Sequence, residues 1–181
     1  MKLVLDACVM FPTVMREVLL GASEAGFFEA LWSPRILEEW ARAAARLGPE
    51  GEAVARGEVA LLAARFPNAS ILVPDGFERR FWLPDPADIH VLAAAVFASS
   101  DGIVTLNRAD FPKSILAEEG LQRLEPDGLL YGFWLKDAAG METVCGRVLE
   151  KARALSGAEW TSRSLFKKAR LPRLAKALSA N

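Results

Sequence analysis

Asp85-Pro86-Ala87-Asp88-Ile89-His90-Val91-Leu92-Ala93-Ala94-Ala95 continues in helical spacing to residue 99 and is followed by Gly102-Ile103-Val104-Thr105. The first part predicts a helix over 85–99 with a clear start. Asp85 can accept from the free amides of the first turn, Pro86 fits the first helical position, and Asp88 at the third suits the positive end of the helix dipole. The second part is a short apolar run, as in a strand covered on both faces of a parallel sheet. Outward from this pair the alternation repeats. Lys2-Leu3-Val4-Leu5, residues 28–32 and Ser70-Ile71-Leu72-Val73 predict further strands, and Leu121-Gln122-Arg123-Leu124 is a weaker candidate. Helical spacing covers 13–25, closing at Gly26; 34–46, opening behind Ser33 and stopping before Gly48-Pro49; and 50–66, ending before Pro67-Asn68. Such alternation implies an α/β domain with a mainly parallel sheet, helices on both faces and right-handed crossovers. From about Pro126 the strand signal stops, and 127–135, 139–156, 161–170 and 172–180 all read as helices. The expected organisation is a sheet domain over 1–125 and an all-helical extension over 126–181.

With 181 residues, 52% of them hydrophobic and 25% charged, the chain has the composition of an ordinary globular domain, which excludes disorder as a description of the whole. A chain of this length buries roughly 70% of its unfolded surface, enough for a core without disulfides or structural metal. It contains one histidine, His90, and two distant cysteines, Cys8 and Cys145. Zinc sites built from several His or Cys ligands are therefore excluded, and both thiols read as reduced and buried in a cytoplasmic protein. The apolar start of the chain would suggest an export signal but for Asp6 inside it. No run reaches the ~18 apolar residues that span a bilayer, so no membrane partner is expected.

The near balance of 22 Lys+Arg against 23 Asp+Glu hides two opposed parts. Residues 1–135 carry 12 against 19, whereas residues 136–181 carry 10 against 4. The second part includes Arg163, Lys167, Lys168, Arg170, Arg173 and Lys176, side chains suited to phosphate contacts; a solvated basic helix face is the alternative.

In an open parallel sheet, functional groups gather beyond the carboxyl ends of the strands. Asp6 stands at that end of the first strand, and Asn107 and Asp110 follow that end of the 102–105 strand. Asp88 lies in the first turn of the 85–99 helix, and Glu38 and Glu39 lie early in the 34–46 helix. Four segments thus bring carboxylates to one sheet edge, where their mutual repulsion is relieved by a hard divalent ion such as Mg²⁺. Such ions support phosphodiester hydrolysis without a histidine. Simpler readings stand beside this one. Asp85 can be only a cap, Asp88 only a dipole partner, Asp110 only an Asx-turn residue, and one of Glu38 and Glu39 only a solvated side chain. Asp6 is harder to explain away, because a carboxylate attached to a buried strand is costly unless paired or metal-bound.

Asp6 after its apolar strand, Ser33-Pro34-Arg35-Ile36-Leu37-Glu38-Glu39-Trp40, the 85–95 stretch and Ile103-Val104-Thr105-Leu106-Asn107-Arg108-Ala109-Asp110-Phe111-Pro112 together resemble the PIN-domain nucleases. In order and spacing they resemble the bacterial VapC-type toxin ribonucleases in particular. The tail, with Leu171-Pro172-Arg173-Leu174, resembles that of a PIN subgroup with a helical carboxy-terminal extension. The resemblance implies a PIN-like three-layer α/β fold and a Mg²⁺- or Mn²⁺-dependent endoribonuclease acting on structured RNA such as tRNA or rRNA. A cognate antitoxin and a homodimer are the partners it implies. Carried over by position, the acidic quartet falls on Asp6, Glu39, Asp88 and Asp110, with Asp6, Asp88 and Asp110 holding the ion and Glu39 completing its shell or orienting the attacking water. Thr105 and Asn107 match supporting polar positions, and Asp85 a supporting or capping one. Asn107 stands where many relatives have a further aspartate, so one-ion and two-ion chemistry both stay open. Cleavage is expected to leave a 5′-phosphate and a 3′-hydroxyl. Lys167, Lys168 and Arg170 are the candidate substrate contacts, and His90 reads as structural or as a substrate contact.

Two other readings compete. A haloacid-dehalogenase-type phosphatase also starts with a strand ending in aspartate, but it needs a second Asp where Cys8 stands, and the order of its later motifs fails here. A PIN-like module that binds protein or RNA without cutting is the second alternative. For an antitoxin helix, Val14, Val18, Trp40, Trp82 and Trp134 are candidate contacts, although large apolar residues at helical spacing are usually core.

Overall fold

The structure is a computed structural model and describes residues 1–179. Leu3, Val4 and Leu5 have no exposed surface, which places strand β1 (Lys2–Leu5) in the middle of the sheet. It pairs in parallel with β2 (Glu29–Leu31) through Lys2, Leu3 and Val4, and with β3 (Gly102–Val104) through Leu3, Val4 and Leu5. With β4 (Gln122–Leu124) outside β3, the strand order is β2-β1-β3-β4. Gly102 is required at the β3–β4 contact, because a Cβ there would meet the backbone carbonyl of Gln122. Helices flank the sheet, as expected for a PIN-like α/β fold.

Two details differ from the sequence reading. The 70–73 run forms no strand among the described residues, only a parallel bridge of Ser70 to Trp32. Trp32 N–H donates to the Ala69 carbonyl, Ile71 N–H donates to the Trp32 carbonyl, and the pairing stops there. Leu72 is 76% exposed and Pro74 follows with no N–H to continue a ladder. The weaker 121–124 run supplies the fourth strand instead. The helix expected over 85–99 is divided into a 3₁₀ turn, Pro86–Asp88, and α5 (Ile89–Phe97), which packs on β1 and β3. Asp85 caps the turn by accepting from Ala87 N–H at 2.9 Å.

The short helix α1 (Ala7–Met10) opens directly after β1, and α3 (Pro34–Ala43) opens behind Ser33, whose Oγ accepts from Ile36 N–H at 3.3 Å. Helix α3 buries Ile36, Trp40 and Ala41 and continues as a 3₁₀ turn over Ala44–Leu47. Helix α4 (Gly51–Arg65) packs beside it and buries only Ala55 and Leu62. Helix α6 (Lys113–Glu118) precedes β4.

The chain divides into two compact units, one of Met1–Phe11 with Glu29–Arg123 and one of Pro12–Phe28 with Leu124–Asn181. The second is helical, and it includes α2 (Thr13–Glu24), which precedes β2 in the chain, with α7 (Pro126–Lys136), α8 (Ala138–Ser156), α9 (Ser162–Lys168) and α10 (Pro172–Ala177). A Cβ on Gly21 of α2 would lie 2.9 Å from Val144 Cγ1 of α8, so the glycine permits their close approach. Asp127 receives the N–H groups of Arg173 and Leu174 at 3.1 Å and so caps α10. The helix expected over 172–180 stops at Ala177 in the described part, and Ala180 lies outside the described residues. Both cysteines are free. No helix among the described residues is long and apolar enough to cross a membrane.

Candidate metal centre

The end of β1 and the residues after β3 form one hydrogen-bonded edge. Asp6 N–H donates to the Val104 carbonyl at 3.1 Å, which fixes the residue against β3, and the residue is only 6% exposed. Its Oδ2 accepts from Thr105 Oγ1 at 2.7 Å and from Cys8 Sγ at 2.9 Å. Burial, reinforced by the charge of Asp6 and the bond to it, pushes the Cys8 thiol up to about 12, so the sulfur keeps its proton. Thr105 Oγ1 in turn accepts from Asn107 N–H at 3.0 Å.

The chain of contacts continues through Asn107. Its Nδ2 donates to Asp110 Oδ2 at 2.5 Å and to Asp88 Oδ2 at 3.2 Å, while its Oδ1 accepts from Asp110 N–H at 3.3 Å. Asp85, Asp88 and Asp110 each bring a carboxylate oxygen within 4.8 Å of the others. Asp88 registers the crowding. Its carboxyl is pushed up to about 6, first by partial burial and then by the negative charges of Asp6, Asp85 and Asp110, with His90 acting in the opposite direction.

The two neighbouring glutamates separate clearly. Glu38 accepts from Arg56 and Arg42, which pull its carboxyl down to about 2 on the open surface. Glu39 lies 3.4 Å from Arg35 Nε and 2.8 Å from His90 Nε2. The His90 ring is 3% exposed and neither nitrogen has an aligned hydrogen bond, so Glu39 is its close but off-line neighbour.

The structure therefore brings Asp85, Asp88 and Asp110 together as a triplet, with Asp6, Thr105 and Asn107 in the adjoining network. Glu39 contacts His90 and Arg35 and is not in the triplet. Asp85 both caps the turn and contributes an oxygen to the triplet. Lys167, Lys168 and Arg170 are exposed in the helical unit, with Lys168 Nζ 4.9 Å from the centroid of the Trp160 ring. Of the candidate antitoxin contacts, Val18 and Trp40 are core, whereas Trp82 is 66% exposed. Sequence reasoning missed the Cys8–Asp6 bond and the His90–Glu39 contact. The signal for the first was Cys8 standing two residues after Asp6 at a strand end; the second links residues 51 positions apart and left none.

The family model described as PIN domain matches residues 2–109. The chain belongs to the PIN-domain family. PIN domains are generally metal-dependent nucleases, and the matched span of this one carries Asp6, Glu39, Asp85, Asp88, Thr105 and Asn107, with Asp110 just beyond it. Comparisons with curated proteins and with solved structures gave no match. The donor set fits the divalent ion that the family uses. The triplet is all carboxylate oxygen, with Asp88 and Asp110 half-buried and Asp85 exposed, and its crowded like charges suit a hard cation.

Proposed function

We propose that this PIN domain is an Mg²⁺- or Mn²⁺-dependent endoribonuclease that hydrolyses phosphodiester bonds in structured RNA of the tRNA or rRNA class, and that it is the toxin of a VapC-type pair. The observation that carries the reading is the Asp85, Asp88 and Asp110 triplet, with the Asp88 carboxyl pushed up by partial burial and then by the neighbouring acids. In this reading Asp6, Asp88 and Asp110 hold the ion, and Asp85 supports them from the turn that it caps. When bound, the ion activates water and stabilises the leaving oxygen of the phosphodiester. The chain's own residues orient the reacting groups. Thr105 fixes Asp6, and Asn107 holds Asp88 and Asp110 at a set separation. Glu39, paired with Arg35 and close to the buried His90 ring, completes the shell or orients the attacking water. Lys167, Lys168 and Arg170 supply phosphate contacts. A cytoplasmic location, a cognate antitoxin and a homodimer belong to the same reading.

Purified protein incubated with total RNA and Mg²⁺ or Mn²⁺ tests it. Cleavage is expected for the wild type, lost with chelator and lost in Asp6→Asn and Asp88→Asn, with 5′-phosphate and 3′-hydroxyl ends on the products. Intact RNA under all conditions would reduce the protein to a binding module.

A further inference from the structure

On the reading of this edge as a metal centre, we propose that Cys8 is a positioning residue: with Thr105 it pins Oδ2 of Asp6 and leaves Oδ1 as the oxygen offered to the cation. Directions of hydrogen bonding follow from which atoms carry protons. A carboxylate has none, so the thiol donates to Oδ2 over 2.9 Å. The sulfur also receives Leu106 N–H at 3.2 Å, and so ties the first turn after β1 to the chain leaving β3. Thr105 Oγ1 accepts Asn107 N–H and therefore turns its single proton to Asp6, 2.7 Å away. Two donors thus converge on one oxygen. Among the described residues no hydrogen bond reaches Oδ1.

The arrangement has a mechanical consequence. A carboxylate held through one oxygen has its rotamer fixed and presents the other without losing freedom when the cation arrives. Thr105 is fully buried and hydrogen-bonded on both sides, so it cannot turn away, and Cys8 supplies the second, softer restraint. A sulfur at position 8 also suits the space, since the thiol touches Asp6 Oδ2, Thr105 Oγ1 and Leu106 N–H at once.

Mn²⁺ titrated into the metal-free full-length protein, with unbound Mn²⁺ followed by electron paramagnetic resonance, tests this without RNA. Cys8→Ala is expected to raise the dissociation constant about tenfold, at the lower end of what outer partners of metal ligands contribute. Cys8→Ser, which keeps an O–H donor, is expected to stay within about threefold of wild type by the same rule. Unchanged binding in Cys8→Ala, or equal weakening in Cys8→Ser and Cys8→Ala, overturns the proposal while the wild-type titration still supports the metal centre. Absence of saturable binding in the wild type overturns both. Thr105→Val gives a second handle if Cys8→Ala fails to fold: it removes the other donor to Oδ2 and is expected to weaken Mn²⁺ binding at least as much. Wild-type affinity in Thr105→Val contradicts the clamp.

Discussion

The side-chain amide of Asn107 donates to Asp110 Oδ2 at 2.5 Å, and the same nitrogen lies 3.2 Å from Asp88 Oδ2. A neutral donor thus holds two carboxylates that would otherwise repel each other. Asn107→Asp replaces the donor with a third charge. A hydrogen bond to a charged group contributes about 1.5–3 kcal/mol, and partial exposure puts the expected loss in metal-free stability at about 1–2 kcal/mol. Saturating Mn²⁺ should recover most of it. Denaturant unfolding in chelator and in Mn²⁺ measures both; equal losses in the two conditions would show that Asn107 acts on packing alone.

Asp88 gives the metal-free protein a pH dependence with a definite sign. Its carboxyl sits at about 6 in the folded chain against an ordinary value of 3.8, so the folded state binds more protons between those limits. Stability from this group is therefore highest below pH 4, falls as the pH rises to 6, and stays low above it. Asp88→Asn should remove that slope and make the metal-free protein more stable at pH 7.5. In the wild type, Mn²⁺ affinity should drop as the pH falls through 6, because the ion must displace a proton. Calorimetric melts at pH 5 and 7.5 in chelator, and Mn²⁺ titrations at both, check the two signs.

Glu38 and Glu39 differ by one position and should differ sharply in effect. Glu38 is bound to Arg42 and Arg56 on the open surface, so Glu38→Gln should leave the cleavage rate within about twofold, as surface ion pairs contribute little. Glu39→Gln removes the carboxylate paired with Arg35 that the proposed function assigns to the water or the metal shell, and should slow cleavage by at least about a hundredfold, the range for a group that orients or deprotonates water. Equal rates in the two variants would remove Glu39 from the proposed machinery.

The alternation of apolar runs and helical spacing was enough to read the parallel sheet and its helices, because burial on both faces leaves an unbroken run such as Leu3-Val4-Leu5. It did not show which marginal run would pair. Ser70 to Val73 looks more strand-like than Leu121 to Leu124, yet Leu72 faces solvent before Pro74 while the second run finds β3 with Gly102 clearing the way. Nor did spacing reveal that α2 packs with helices more than 100 residues later, a match that depends on Gly21 fitting against Val144. In the site, the strand ends and the 3₁₀ turn explain why Asp6, Asp85, Asp88 and Asp110 lie along one edge, and Asp85, Asp88 and Asp110 form the triplet. The Cys8–Asp6 bond spans only two positions at the end of β1, whereas the His90–Glu39 contact depends on side chains of α5 and α3 meeting, which no local pattern encodes.

The basic residues of α9 and the turn after it should matter for RNA and not for the metal. Lys167, Lys168 and Arg170 are exposed, and reversing all three to Glu should weaken RNA binding and reduce the salt dependence of log K by about one unit per lost phosphate contact. Mn²⁺ affinity should be unchanged. Filter binding at several salt concentrations measures the slope; unchanged affinity and slope would leave these residues as a solvated helix face.

Metal-dependent cleavage at this edge is tested by the initial rate of cleavage of an end-labelled structured RNA as a function of free Mn²⁺, for the wild type and for Asp88→Asn. The predicted rate is zero in chelator and saturates over the Mn²⁺ range that fills the site in the binding titration, with no cleavage at any Mn²⁺ concentration in Asp88→Asn. Cleavage that persists in chelator, or that is equal in the two proteins, would contradict it.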